Sequence, residues 1–553
     1  MSMINQIEIT INKEKLKYSR GITLQEIYME HQIQFKYPII LSRVNGRLKE
    51  LTAELTEDCE VEFLDLTSSE GNRVHVNSLI FMLLYCIHKI YGSSVKTYVE
   101  HSLDKGIYIK TGFKLTEEKV KELEDMMREV VKKDMPITRL TIDRLEAIDY
   151  FTHIGDETKA GVLKYNTDNY ITLYRLGNIY DYFYSLMAPS TGKLKDFALT
   201  YVNEHGLVLR FPTIYIKDKI KKYEHHPNMF KVFEEYRGWA DLIGIRDSVD
   251  LNRVVSMGKV SDLIKMDEAV QTHRLLTIAK EIYDRRKKVK IVLIAGPSSS
   301  GKTTTSRKLC LYLNILGFHP IAVAMDDYFL DRKDTPKDEK GNYDYECLEA
   351  LDLKLFDKQM QQLLNGEEII PPTYNFILGK KEYKSTMKLN DNDILIIEGI
   401  HALDPKVLTN IDRERKYKIY ISPLTELNMD NHNRISTTDN RLLRRIIRDN
   451  RTRNYKVEDT LKQWPSVREG EEKYIFPYQD ESDVMVNSAS IYEIGLLKTY
   501  VEPLLYSVSK DSSYYEEAKR LLNFLRLFLP IPSDSVPEDA VIREFIGGSY
   551  FYE

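Results

Sequence analysis

Residues 290–305 read Lys-Ile-Val-Leu-Ile-Ala-Gly-Pro-Ser-Ser-Ser-Gly-Lys-Thr-Thr-Thr, and they constrain the fold more than any other stretch. Gly296, Gly301, Lys302 and Thr303 complete the spacing G-x-x-x-x-G-K-[ST]. The apolar run Ile291–Ala295 reads as a buried strand, and the amphipathic stretch 304–316 reads as the helix after it. In such a turn the backbone N–H groups of Gly296, Ser298, Ser299, Ser300, Gly301 and Thr304 curl around a phosphate at a helix N-terminus. Lys302 then reaches the β- and γ-phosphates, and the Thr303 hydroxyl is placed for Mg²⁺. Residues 289–505 alternate strand and helix, which calls for βαβ units on a mostly parallel sheet.

Two further strands carry acidic ends. The strand 320–325 runs into Asp326-Asp327-Tyr328-Phe329, and a carboxylate there faces the crevice at the carboxyl end of a parallel sheet. Asp326 is the candidate base for a hydroxyl that receives a phosphoryl group. The strand 393–397 runs into Glu398-Gly399, an arrangement that completes a Mg²⁺ shell together with Thr303. Residues 441–453 hold six arginines, with Arg441, Arg444 or Arg445, and Arg448 at helical spacing. They read as a lid that closes on a transferring phosphate, because Arg binds phosphate bidentately. The base-reading pattern Asn-Lys-x-Asp of GTP-binding proteins is absent from this segment, which points to ATP.

These motifs, in this order, resemble the uridine kinase and phosphoribulokinase family over roughly residues 289–500. The resemblance implies ATP and Mg²⁺ as cofactors and the 5′-hydroxyl of a nucleoside, uridine or cytidine, as acceptor. It implies that Asp344, in Asn342-Tyr343-Asp344, and Gln463 hold sugar hydroxyls. Tyr374, in Tyr374-Asn375-Phe376, matches an aromatic that contacts the base. Arg445 matches a ribose-side arginine, and Arg448 and Arg453 match phosphate contacts. One position departs from the pattern: Gly379 stands where the family's pyrimidine-reading histidine is expected, followed by Lys380-Lys381. A kinase for another small hydroxyl metabolite, and a nucleotide-gated RNA-binding or regulatory protein, are the alternative readings.

Residues 1–66 hold short alternating strands, one helix at 24–29 and an Asn45-Gly46 turn, which suggests a β-grasp module. They resemble the TGS domain at the front of threonyl-tRNA synthetases. Residues 70–235, with helices at 74–91 and 116–133 and strands at 162–165 and 170–174, resemble that enzyme's editing domain, an α+β unit. The segments Ile171-Thr172-Leu173-Tyr174-Arg175-Leu176-Gly177 and Ala188-Pro189-Ser190-Thr191-Gly192-Lys193 carry the match. The editing residues are expected at 77, 81, 183 and 187, where this chain has Asn77, Phe81, Phe183 and Met187, so deacylation of aminoacyl-tRNA is expected to be absent. His75 is a nearby histidine with no assigned partner in the sequence. A polar helical connector at 236–288 and a C-terminal helical extension at 506–553, with a helix at 514–528, complete the expected division.

Composition adds limits. The net charge of −5 gives no global bias toward nucleic acid, although tRNA is left open as a partner by the front half. Cys59, Cys86, Cys310 and Cys347 form no C-x-x-C pair, which suits a reducing cytosol. The stretch 1–10 lacks the charge and apolar core of a signal peptide, and the apolar run 79–87 is too short to span a bilayer. The sequence therefore reads as a soluble cytoplasmic protein with a small-molecule nucleoside acceptor and no membrane partner, with homo-oligomerisation left open.

Overall fold

The structure is a computed structural model that describes residues 6–31, 35–337, 341, 343–375, 378–425 and 427–551. Asn342 and Phe376 of the motifs above lie outside the described residues, as do residues 1–5 of the N-terminal stretch.

At the front, five strands lie in the order Glu14–Ser19, Gln6–Ile11, Cys59–Asp65, Ile39–Val44, Arg47–Lys49. Gln6–Ile11 pairs parallel with Cys59–Asp65, and every other pair is antiparallel, which is the β-grasp arrangement. Alternation along Gln6–Ile11 sends Ile7, Ile9 and Ile11 into a core shared with Leu24 and Ile27 of the helix Leu24–His31. Val44 pairs with Arg47 across Asn45 and Gly46, whose φ values of 47° and 76° are those of a type I′ turn.

The next part wraps two antiparallel sheets around the helix Ser69–Tyr91. Among the described residues this is the one helix long and apolar enough, by length and composition, to cross a membrane. Here it is a core helix: Leu79 to Ile87 are all buried against the sheets and the helix Glu117–Lys133. The expected strand at 162–165 is instead the end of a helix, Glu157–Tyr165. Asp156 accepts the Lys159 N–H at 3.1 Å and caps that helix, and local capping outweighs the strand preference of the lone Val162.

The segment expected as a polar connector is helical but not loose. Its helices are Pro227–Ile243, Ser248–Ser256 and Val260–Asp284, the first beginning at a proline that precedes the expected boundary. Leu275, Ile278, Ala279 and Ile282 join Val292, Ile294, Leu309 and Leu313 in one core, so the third helix is a layer on the sheet that holds Ile291–Ala295.

That sheet has five strands, all parallel, in the order His319–Ala324, Asp393–Glu398, Ile291–Ala295, Lys416–Ser422, Val484–Asn487. The strand that feeds the phosphate loop is central and buried along its whole length. Ile291, Leu293 and Ala295 face one core and Val292 and Ile294 the other, as expected of a strand covered on both faces. The helix Tyr515–Leu525 packs on Glu493–Tyr506, and the chain then returns across the phosphate loop to end near the short helix Arg543–Ile546.

The two halves are also joined directly. The loop before the helix Thr437–Arg453 lies along the strand Thr97–Leu103: the Val99 N–H donates to the Asn431 carbonyl at 2.8 Å, and the Asn428 amide donates to the Val99 carbonyl at 3.0 Å. Beside it, Lys159, Asp181 and His432 form a buried cluster on the wall of a cavity of ≈ 850 Å³.

Candidate active site

Parallel strands deliver their carboxyl ends to one edge, and three adjacent ends bring the site together. The central strand leads into Gly296, whose Cβ, if present, would overlap the Ile421 carbonyl, so only glycine fits there. Ser299 and Gly301 adopt left-handed backbone, with φ of 59° and 82°. The turn places Lys302 and Thr303 at the start of the helix Lys302–Ile315. Lys302 Nζ donates to the Gly296 carbonyl at 2.9 Å and to the Pro297 carbonyl at 3.2 Å. Burial lowers its pKa, while Glu398, Asp326 and Glu544 oppose the shift.

The neighbouring strand Asp393–Glu398 ends in Glu398, whose charged form the Thr303 side chain favours. Burial raises the Glu398 pKa, and its Oε2 is enclosed without a hydrogen-bond partner. A hydroxyl beside an enclosed, unsatisfied carboxylate oxygen fits a hard cation such as Mg²⁺. The edge strand His319–Ala324 ends in the turn Met325–Tyr328. There the two aspartates divide. Asp327 Oδ1 accepts the Tyr374 N–H at 3.1 Å and so holds the hairpin Pro372–Tyr383, whereas Asp326 opens into the cleft. Burial by the cleft walls raises the Asp326 pKa, Lys302 opposes it and Asp327 adds to it.

The arginine helix differs most from expectation. Thr437–Arg453 is largely buried rather than a solvent-facing lid. Arg441 and Arg444 are enclosed and paired with Glu471 and Glu493. Both reach the phosphate loop from beneath: Arg441 Nε donates to the Ser298 carbonyl at 2.9 Å and Arg444 Nη1 to the Ser299 carbonyl at 3.4 Å. Arg445 Nη1 donates to Ser298 Oγ at 2.9 Å and Nη2 to Gln463 Oε1 at 3.5 Å, so the structure brings Arg445 and Gln463 together beside the loop. Arg445, Arg448 and Arg453 converge on Asp449, at 3.1, 3.0 and 3.3 Å.

Asp344 accepts the Glu346 N–H at 3.0 Å and shapes its own turn. Tyr374 is buried against Phe329, with ring centroids 5.7 Å apart. Gly379 has φ of 67°, and the space a Cβ would need is filled by the Arg332 side chain. Ser300 is enclosed, and its carbonyl accepts from Ser488 Oγ at 2.5 Å. Thr304, expected to donate to phosphate, donates instead to Glu544 from its N–H and its hydroxyl.

Besides Glu493, further carboxylates near the site belong to none of the motifs. Glu471 accepts the Ser298 N–H at 3.0 Å and also pairs with Arg468 at 2.9 Å. Asp449 lies four residues from both Arg445 and Arg453, a spacing that signals pairing on a helix. Glu346 has its pKa raised to about 7 by burial and by Glu471, with Arg445 opposing. Glu544 comes from the far C-terminus, and no local pattern announces it.

In the front half, Phe81, Phe183 and Met187 fill the core at the positions where editing residues were expected. The Phe81 and Phe183 rings are 5.3 Å apart. His75 is fully enclosed, neither ring nitrogen is hydrogen-bonded, and burial pushes its pKa down to about 4.

Residues 291–494 match the model of the phosphoribulokinase/uridine kinase family. A uridine kinase of Staphylococcus aureus is 28% identical over 218 residues, 39% of this chain and 96% of that protein. A threonine–tRNA ligase of Thermotoga maritima is 30% identical over 203 residues, 36% of this chain, which spans only 31% of the ligase. The solved phosphoribulokinase from Rhodobacter spheroides aligns with TM-score 0.26 and 15% identity, over 36% of this chain and 70% of that one. This chain thus carries a P-loop kinase domain of the phosphoribulokinase/uridine kinase family at its C-terminal side, fused behind a part similar to threonine–tRNA ligase.

Proposed function

We propose that the chain is an ATP- and Mg²⁺-dependent kinase that transfers the γ-phosphoryl group to the 5′-hydroxyl of a nucleoside, uridine or cytidine. The observation that carries this reading is the meeting of the phosphate loop, Asp326 and the Thr303–Glu398 pair at the ends of three adjacent parallel strands. Thr303 and Glu398 would hold Mg²⁺, which when bound neutralises charge on the phosphate oxygens. Asp326 orients the acceptor hydroxyl and takes its proton as the oxygen attacks phosphorus and the bond to the leaving diphosphate breaks. A raised pKa makes Asp326 a stronger base than an ordinary aspartate. Lys302 stabilises the charge that moves onto the leaving diphosphate. Arg445 and Arg448, aligned by Asp449, stand ready to meet the transferring group.

A second acceptor class, another small hydroxyl metabolite, is favoured by Gly379 and the Arg332 side chain packed against it, since a donor-only guanidinium reads a different edge from a histidine. A coupled assay of ATP consumption with a panel of nucleosides and other hydroxyl compounds decides between them. Stimulation by uridine or cytidine supports the first reading, and a panel in which no nucleoside stimulates turnover removes it.

A further inference from the structure

The C-terminal residues 536–551 lie across the phosphate loop, and one of their side chains enters it. Thr304 sits in the first turn of the helix Lys302–Ile315, where backbone N–H groups have no partner within the helix and are the donors offered to a phosphate. Its N–H and its hydroxyl both donate to Glu544 Oε2, at 3.3 and 2.8 Å. Glu544 also joins Glu398 and Asp326 as a carboxylate whose charge reaches Lys302. Lys302 itself is turned to the loop's own carbonyls. The Lys302 cation and the two Thr304 donors are therefore both engaged within the protein.

The segment that carries Glu544 is fixed on either side. Arg451 donates to the Glu544 carbonyl at 2.9 Å and to the Phe545 carbonyl at 3.2 Å. Asp539 pairs with Lys308 at 3.1 Å, Phe545 is fully buried beneath Arg444, and Val541 fills the space that a Cβ on Gly301 would need. With the backbone held this firmly, only the Glu544 side chain has to swing to free Thr304.

We propose that residues 536–551 form a strap that restrains nucleotide entry, with the Glu544 carboxylate occupying the Thr304 donors that a triphosphate must take. The inference rests on the kinase reading for its nucleotide and goes beyond it in assigning the C-terminal segment a competing role. Two anions cannot share the same two donors, so the triphosphate binds only as Glu544 leaves, and its apparent affinity is lowered by the population of the closed arrangement.

The test is calorimetric titration of the full chain with ATP and Mg²⁺ and no acceptor present. Glu544→Ala is expected to tighten ATP binding about tenfold, the worth of one charge-assisted hydrogen bond that no longer competes. Glu544→Gln, which keeps the shape and removes the charge, is expected to tighten it less and guards against a folding defect in the alanine variant. An unchanged or weaker affinity in both variants, with wild-type melting curves, overturns the proposal, as does absence of ATP binding in every form. A weaker affinity accompanied by lost turnover would instead make Glu544 part of the nucleotide site and would equally overturn the strap. Because no acceptor is used, failure of the nucleoside panel and failure of the strap are read separately.

Discussion

Replacing Glu471 by glutamine removes one negative charge from a place that water does not reach, and its neighbours determine the cost. The Glu471 carboxylate is enclosed and serves three donors: the Ser298 N–H, Arg441 and Arg468. Arg468 loses little, because Glu472 stands 3.1 Å away on its other side. Arg441 is 1% exposed and, among the described residues, keeps the Ser298 carbonyl and the face of Trp464 but no carboxylate partner, so its guanidinium is left buried without a counter-charge. Removing one partner of a buried pair costs about 3–5 kcal/mol. For a kinase part of this size that corresponds to a melting temperature lower by roughly 6–20 °C.

The effect also has a pH signature. Burial would raise the Glu471 pKa, but Arg441 and Arg468 outweigh it and hold the folded value below the ordinary carboxylate range. A carboxylate whose folded pKa is depressed contributes stability above its unfolded pKa, and that contribution is lost as pH falls through the folded value. The gap between wild type and Glu471→Gln should thus be full at pH 7 and shrink below about pH 4. Melting measured by circular dichroism from pH 7 down to pH 3 records it. A gap below about 1 kcal/mol at pH 7, as for an exposed pair, or one that does not narrow in acid, would refute the reasoning.

Asp326→Asn should lower turnover by about 10²–10⁴-fold while ATP binding by calorimetry stays within about threefold, the signature of a lost base rather than a lost binding site. Because burial raises the Asp326 pKa, the acid limb of the turnover profile should lie above the ordinary aspartate value of about 4, with activity rising as pH increases through it. Glu398→Gln should raise the Mg²⁺ concentration needed for half-maximal turnover, and an unchanged Mg²⁺ curve would take Glu398 out of the metal site. Asp449→Asn leaves Arg445, Arg448 and Arg453 without their shared anion and should lower kcat more than it raises the KM for ATP, as steady-state kinetics will show.

The parts of the site that are legible in the sequence are those whose chemistry is local. Gly296 to Thr303 form a loop because neighbours in sequence make it, and Asp326 and Glu398 sit at strand ends whatever surrounds them. The Asn45-Gly46 turn is legible for the same reason. Which face of a helix is turned inward cannot be read in this way. Arginines at 441, 444 and 445 look like a solvated or closing face, and only Glu471 and Glu493, 30 and 49 residues further on, make their burial tolerable. Glu544 lies 240 residues from Thr304, beyond the reach of any spacing rule. Residues 162–165, Val-Leu-Lys-Tyr, look like a short strand, while the cap that decides the matter is Asp156.

The loop at 428–433 has a consequence for how the chain can be divided. It borrows backbone partners from the strand Thr97–Leu103 and then runs, within a few residues, into the helix whose arginines grip the phosphate loop. Cutting the protein between its ligase-like and kinase-like parts would strip that loop of its scaffold at the very point where the arginine helix begins. The phosphate cradle is therefore seated on a foundation laid by the other half of the molecule, and the two have to be made, folded and kept together.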